Sequence, residues 1–157
     1  MHKQGYTEVR GSDISQNLAD WCKSTGWYKE TECRWLGKGE FPEDQREAYD
    51  VVTTAGTLCK GHIPKEGLDD LIGFVKVGGY FITAFRLYYF VNGHECGYKD
   101  KLDEFVAAGK LELYHTYEFE RGFSKEGVSE TILEEFKDAI NRFQMGKSIL
   151  TIYKKTA

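Results

Sequence analysis

The chain has 157 residues, is 41% hydrophobic and contains only two prolines. That composition fits one globular domain spanning 1–157 and excludes a disordered, Pro-rich or collagen-like protein. Its 21 basic and 25 acidic side chains leave a net charge of −4, without the basic excess that marks nucleic-acid or anionic-membrane binding.

Strand and helix signals alternate. Tyr6 to Ser12 is a short β-prone run closed by Gly11-Ser12-Asp13. Ser15 is placed to cap a helix carrying Leu18, Trp21 and Cys22 at helical spacing, and Gly26 supplies a left-handed stop. Thr31 to Leu36 reads as a second short strand, and the charged stretch Lys38 to Ala48 as a loop. Tyr49 to Thr54 is a compact strand whose adjacent valines suit burial on both faces. The small-residue loop Ala55 to His62 leads to Pro64, which suits a first helical position. Leu68, Leu71, Ile72 and Val75 form an apolar stripe of helical period. Gly78-Gly79 predicts a turn, and Tyr80 to Phe85 another strand.

Tyr98, Leu102, Phe105 and Val106 make the next helical stripe, stopped by Gly109. Leu111 to Phe119 alternates with period two and predicts a half-exposed strand. Val128, Ile132, Leu133, Phe136, Ile140 and Phe143 mark a long amphipathic helix ended by Gly146, and Ser148 to Tyr153 a last strand. The order β-α-β-β-α-β-α-β-α-β predicts an α/β fold with a mostly parallel sheet. The final strands look more solvent-exposed, which fits an antiparallel edge.

The start, Met-His-Lys-Gln-Gly-Tyr-Thr-Glu, lacks the apolar core of a secretory signal. The longest apolar neighbourhood, Tyr80 to Val91, is broken by Thr83 and Arg86, far short of the ~20 apolar residues of a spanning helix. Cys22, Cys33, Cys59 and Cys96 form no close-paired framework. A cytoplasmic protein with free thiols is expected.

Asp13 ends a strand just before a helix. There a carboxylate can accept hydrogen bonds from ribose hydroxyls in a nucleotide-binding fold, or simply cap the helix. Gly146-Lys147-Ser148 resembles the end of a P-loop, but Asn141 stands where its first glycine belongs and a strand follows instead of a helix. Cys59-x-x-His62 and His94-x-Cys96 carry zinc-type donors on two separate loops without Cys-x-x-Cys spacing, so no metal site is expected. Ser124, Ser129 and His115 sit in no nucleophile elbow. The cluster Phe85, Tyr88, Tyr89 and Phe90 can line a pocket or pack in the core.

Three pieces together resemble a known family: Gly11-Ser12-Asp13-Ile14-Ser15, the run Tyr-Asp-Val-Val-Thr-Thr-Ala-Gly-Thr-Leu-Cys-Lys-Gly-His-Ile-Pro at 49–64, and Val-Lys-Val-Gly-Gly-Tyr-Phe-Ile-Thr at 75–83. In this order and spacing they look like class I S-adenosylmethionine-dependent methyltransferases, nearest the Williams–Beuren syndrome region methyltransferase-like family. That family has a Lys-Pro-Gly-Gly turn where this chain has Lys76-Val77-Gly78-Gly79. The resemblance covers Gly5 to Gly109; beyond Lys110 only the order of elements matches.

The resemblance implies a Rossmann-like sheet with helices on both faces and S-adenosylmethionine as cofactor. It implies that Asp13, with Ile14 beside it, holds the ribose. Leu36 and Gly37 then lie near adenine, with Glu40 the nearest acid where the family carries an Asp. Thr54, Ala55 and Gly56 approach the methionine part, and His62, Arg86, Tyr88 and Tyr89 face an unidentified small-molecule or protein acceptor. No catalytic residue is implied. The family's first strand and its Gly-x-Gly-x-Gly turn are missing from these residues, and residues 1–5 look like the tail of the following helix. That strand belongs at the sheet centre, between Tyr6–Ser12 and Tyr49–Thr54. The expectation is therefore an incomplete methyltransferase-like domain that need not be active in this form. The alternative is a non-catalytic binding module that offers its remaining half-site or its exposed sheet edge to a protein partner.

Overall fold

The alternation of signals becomes an alternation of elements. In the computed structural model, which describes residues 2–120, 129–135, 137 and 146–157, β1 (Arg10–Asp13) leads through α1 (Gln16–Ser24) to β2 (Glu30–Cys33) and β3 (Tyr49–Ala55). Then come α2 (Gly67–Phe74), β4 (Val75–Arg86), α3 (Tyr98–Ala107), β5 (Leu111–Glu120), α4 (Glu130–Glu135) and β6 (Lys147–Lys155). The strands form two sheets. β1 and β2 pair in parallel, and the other four run in the order β3-β4-β6-β5. β3 is parallel to β4, whereas β6 is antiparallel to both neighbours, which gives the expected antiparallel part near the C-terminus.

The two sheets point the same way. The Arg10 guanidinium lies 5.9 Å from the Tyr49 ring centroid, so the amino ends of β1 and β3 adjoin. Gly37, beyond β2, packs on Gly67 at the start of α2. Because α2 must return to begin a strand parallel to β3, its start lies at the carboxyl end of β3. Among the described residues no backbone hydrogen bond joins β1 to β3. A cavity of about 220 Å³ opens between the sheets, lined by Arg10, Gly11, Glu30, Thr31, Glu32, Gln45 and Tyr49.

The core lies on the four-stranded side. Leu68, Leu71 and Ile72 of α2 and Tyr98, Leu102 and Phe105 of α3 pack with Phe81, Phe85, Ile149 and Tyr153 of β4 and β6. Leu68, Leu71 and Ile72, and Tyr98, Leu102 and Phe105, thus bury as their spacing predicts, whereas Val106 is exposed and Val75, though buried, opens β4. α3 ends in a Schellman turn: Lys110 N–H donates to the Phe105 carbonyl and Gly109 N–H to that of Val106, with Gly109 at φ +69°. The β1-α1-β2 unit buries one apolar side chain, Ala19. Ser15 caps α1 as expected, its Oγ accepting from Leu18 N–H at 3.4 Å. Leu18 and Trp21 nevertheless stay more than half exposed, because α1 packs on only two strands.

Several local expectations are corrected. β1 pairs only over Arg10–Asp13 because β2 offers four partners, and Tyr6 is left exposed. β2 stops at Cys33, short of Leu36, where Arg34 N–H closes onto the Asp13 carbonyl. β3 is not buried on both faces: Val51 is 46% exposed, since β3 has a neighbour on one edge only. Pro64 precedes α2 by a turn, its carbonyl accepting from Gly67 N–H. Gly78-Gly79 lies inside β4 as a bulge, because Tyr49 pairs with Val75 but Val51 with Tyr80. An added Cβ at Gly79 would meet the Asp50 carbonyl at 2.7 Å. In β5 a register shift at Tyr114 breaks the period of two, and Leu113, Tyr114 and Tyr117 are all exposed. β6 is the reverse of exposed: Ser148, Ile149, Thr151, Tyr153 and Lys155 are buried because it runs between β4 and β5. In the last predicted helix Val128, Phe136, Ile140 and Phe143 lie outside the described residues, and Ile132 is exposed.

Lys155 brings a charge into this core. Its Nζ donates to the carbonyls of Val75 (3.0 Å) and Ile72 (3.4 Å) at the end of α2 and to Glu47 Oε1 (2.9 Å). A cation there satisfies orphan helix carbonyls. Lys155→Met is expected to cost about 1–3 kcal/mol, the penalty for leaving buried polar groups unpaired, read as a lowered urea midpoint. Gly37→Ala is expected to cost more than Gly39→Ala. Both have positive φ, worth about 1–2 kcal/mol of strain for Ala. Only Gly37 would also drive a Cβ to 2.5 Å from Gly67 N, adding about 1–3 kcal/mol of overpacking. Equal midpoints for the two variants would contradict this docking.

Candidate functional site at the carboxyl edge

With four strands pointing one way, the carboxyl ends of β1, β2, β3 and β4 form one edge. In open α/β sheets ligands bind there. At the end of β1, Asp13 Oδ1 accepts from Ser15 N–H at 2.8 Å, so the helix-capping role is real. Its Oδ2 has no partner among the described residues. Ile14 follows, 54% exposed, and its carbonyl accepts from Cys33 Sγ.

After β2, Leu36 packs against the core and Gly37 turns the chain at φ +74°. Gly37 N–H donates to Asp70 Oδ2 of α2 at 2.6 Å. This bond carries the loop across the seam to the four-stranded side. Thr54 is held within the sheet: its hydroxyl donates to that of Thr83 on β4, 2.8 Å away and fully buried. Ala55 is exposed, and Gly56 leaves the strand at φ +72° with nothing within 4 Å of a built Cβ. Its N–H donates to the Ala84 carbonyl. The chain at Gly56 therefore presents bare backbone to open space.

The loop after Gly56 is pinned by Tyr98, whose hydroxyl donates to the Ile63 carbonyl at 2.6 Å and lies 3.1 Å from that of Cys59. Burial pushes the Tyr98 phenol well above its ordinary value, so it stays a donor. His62 is exposed, with Nδ1 3.2 Å from Cys59 Sγ. Arg86 ends β4 beside Ser148. The predicted aromatic cluster divides. Phe85 and Phe90 are core, while Tyr88 is 69% exposed. Tyr88 and Tyr89 each meet the His94 ring edge-on, at 4.8 and 5.3 Å. Among the described residues no group of three His, Cys, Asp or Glu side chains is arranged to hold a metal.

The structure thus gathers Thr54, Ala55, Gly56 and Arg86 on adjacent strands and ties Leu36 and Gly37 to them through α2. Asp13 and Ile14 stand on the other sheet, across the seam. Asp70, the Thr83 hydroxyl and the Tyr98 hydroxyl escape a reading of the sequence, and His94, weighed there as a metal donor, meets Tyr88 and Tyr89 instead. Asp70 looks like an ordinary first-turn acid, and Tyr98 like one more member of an apolar stripe. Near the cavity, the Arg34 guanidinium bonds Glu32 at 2.9 and 2.7 Å and holds its carboxyl below the usual range despite burial.

No protein-family model matches the sequence, and no curated protein matches it. Solved structures do. A SAM-dependent methyltransferase from Methanosarcina mazei aligns over 98% of this chain and 84% of its own, with a TM-score of 0.64 at 12% identity. A putative S-adenosylmethionine-dependent methyltransferase from Listeria monocytogenes aligns over 99% and 82%, at 0.61 and 14%. The [4+2]-cyclase SpnF aligns over 96% and 68%, at 0.57 and 15%. Likeness at such identities speaks for architecture alone: the chain has the α/β fold shared by the class I S-adenosylmethionine-dependent methyltransferases.

Proposed function

We propose that the chain is a class I methyltransferase-type domain of the Williams–Beuren-like group, with S-adenosylmethionine as its cofactor and a cytoplasmic setting. The observation that carries this reading is the carboxyl edge itself. There a carboxylate oxygen, Asp13 Oδ2, faces no protein partner, and Gly56 offers backbone with no side chain in the way. A ribose diol suits the first, since paired hydroxyls donate to one carboxylate. The second suits the close approach of a methionine chain. Leu36 and Gly37 supply an apolar turn for an adenine ring. His62, Arg86, Tyr88 and Tyr89 form the side toward the methyl acceptor.

When bound, the cofactor supplies an electrophilic methyl on a sulfonium. The chain's residues contribute position and exclusion of water. Asp13 orients the ribose, Thr83 fixes Thr54, and Tyr98 fixes the loop from Gly56 to Ile63. The family's glycine-rich turn would supply a further wall. These 157 residues contain no Gly-x-Gly-x-Gly, so they provide part of a cofactor site and are read as weakly binding or inactive by themselves.

Calorimetric titration with S-adenosylmethionine tests this. Millimolar or tighter binding is expected. Asp13→Asn keeps an oxygen for Ser15 N–H but loses the charge, so it should weaken binding about 10- to 100-fold, the worth of a hydrogen bond to a charged group, with little change in melting temperature. No heat at millimolar cofactor would leave the fold standing and remove the cofactor.

A further inference from the structure

The loop after β3 brings a thiol and an imidazole together. Cys59-Lys60-Gly61-His62 closes as a turn, with His62 N–H donating to the Cys59 carbonyl at 3.1 Å and Gly61 at φ +84°. A four-residue turn with glycine at its third position draws its first and fourth residues together. The side chains accordingly meet: Cys59 Sγ lies 3.2 Å from His62 Nδ1 and 3.6 Å from the Gly56 carbonyl oxygen. The turn is held from beneath. Leu58 is buried in the core, and the Tyr98 hydroxyl lies 3.1 Å from the Cys59 carbonyl oxygen and 2.6 Å from that of Ile63. Lys60, within the turn, pairs with Glu95 of the loop before α3 at 2.9 Å, which ties the turn a second time.

We propose that Cys59 is a nucleophilic thiol with His62 as its base, and that this pair exchanges with a small disulfide such as oxidised glutathione. In the tautomer protonated at Nε2, Nδ1 is an acceptor aimed at Sγ. The ring takes the thiol proton, and the thiolate attacks one sulfur of the disulfide. A bond forms from Sγ, the old S–S bond breaks, and the departing thiolate takes the proton back from the ring. One disulfide is consumed and one is formed, so no further oxidant is needed. Room for a small adduct lies beside the thiol at Gly56, where a built Cβ meets nothing within 4 Å. Cys33 is the contrast. It is exposed, whereas Cys59 is half-buried. Its Sγ donates to the Ile14 carbonyl, which accepts a hydrogen bond but does not take the proton. Access therefore favours Cys33, and activation favours Cys59. The proposal goes beyond the methyl-transfer reading and needs no cofactor.

The test incubates the 157-residue chain with oxidised glutathione at about pH 7, and peptide mass spectrometry times the mixed disulfide at each cysteine. Cys59 should react about tenfold faster than Cys33, because only the thiolate attacks and an ordinary thiol, with its pKa near 8.5, is mostly protonated at that pH. His62→Ala and His62→Gln remove the base. Each should slow Cys59 about tenfold and leave Cys33 unchanged, and because His62 is exposed the melting temperature should hold. At about pH 10, above the ordinary thiol value, both variants should match the unsubstituted chain, since solvent then removes the proton. Cys33 reacting as fast as Cys59 at pH 7 overturns the proposal, as does an unchanged Cys59 rate in the His62 variants. A deficit that persists at pH 10 also overturns it, by making His62 a support of the turn and not a base. Cofactor binding is measured separately, so failure of either reading leaves the other tested on its own terms.

Discussion

A close approach of two glycines docks the β1-α1-β2 unit on the rest of this molecule. Gly37 and Gly67 approach so closely that a Cβ on the first would sit 2.5 Å from the amide nitrogen of the second. The approach brings Gly37 N–H to the Asp70 carboxylate. The β1-α1-β2 unit depends on it, because that unit buries only Ala19 among its apolar side chains. One buried alanine is far too little to offset the backbone entropy of ordering such a segment, at roughly 1–2 kcal/mol per residue. Its place is set by what it docks against: the glycine contact, the bond from Gln45 Nε2 to Glu32, and Arg10 on Tyr49.

That dependence reaches the candidate site. Asp13 belongs to the weakly anchored sheet, whereas Thr54, Gly56 and Arg86 belong to the sheet that carries the core. Any ligand touching both would itself bridge the seam. Binding energy would then go partly into fixing the two sheets relative to one another. The four-stranded side is more fully tied together. Thr83 and Thr151 are fully buried, with Thr151 Oγ1 turned to the Thr83 carbonyl, and Tyr98 ties the loop to α3.

The architecture is shared by proteins of more than one activity, a [4+2]-cyclase among them. A shared order of strands therefore does not by itself assign an activity. At the carboxyl edge Asp13 Oδ2 has no partner among the described residues, and Gly56 leaves open space where a side chain would stand.

The start of α2 was not legible from the sequence, whereas element types, their order, the caps at Ser15 and Gly109 and most of the core stripes of α2 and α3 were. Each follows from local periodicity and from side chains that act within a turn or two, as Ser15 and Gly109 do. The antiparallel part near the C-terminus was expected on the ground that the final strands look exposed, a ground that holds for β5 and fails for β6. Burial was not legible. Val51, Leu18 and Trp21 look like core residues by type, yet stand exposed because β3 has a neighbour on one edge only and α1 packs on only two strands. The last strand looks peripheral and is buried because β6 runs between β4 and β5. Asp70, Lys155 and the Tyr98 hydroxyl find partners more than thirty residues away. No local pattern encodes such pairings, because they exist only once helices and strands have packed. Periodicity assigns each residue to a face, and only tertiary structure decides whether anything lies against it.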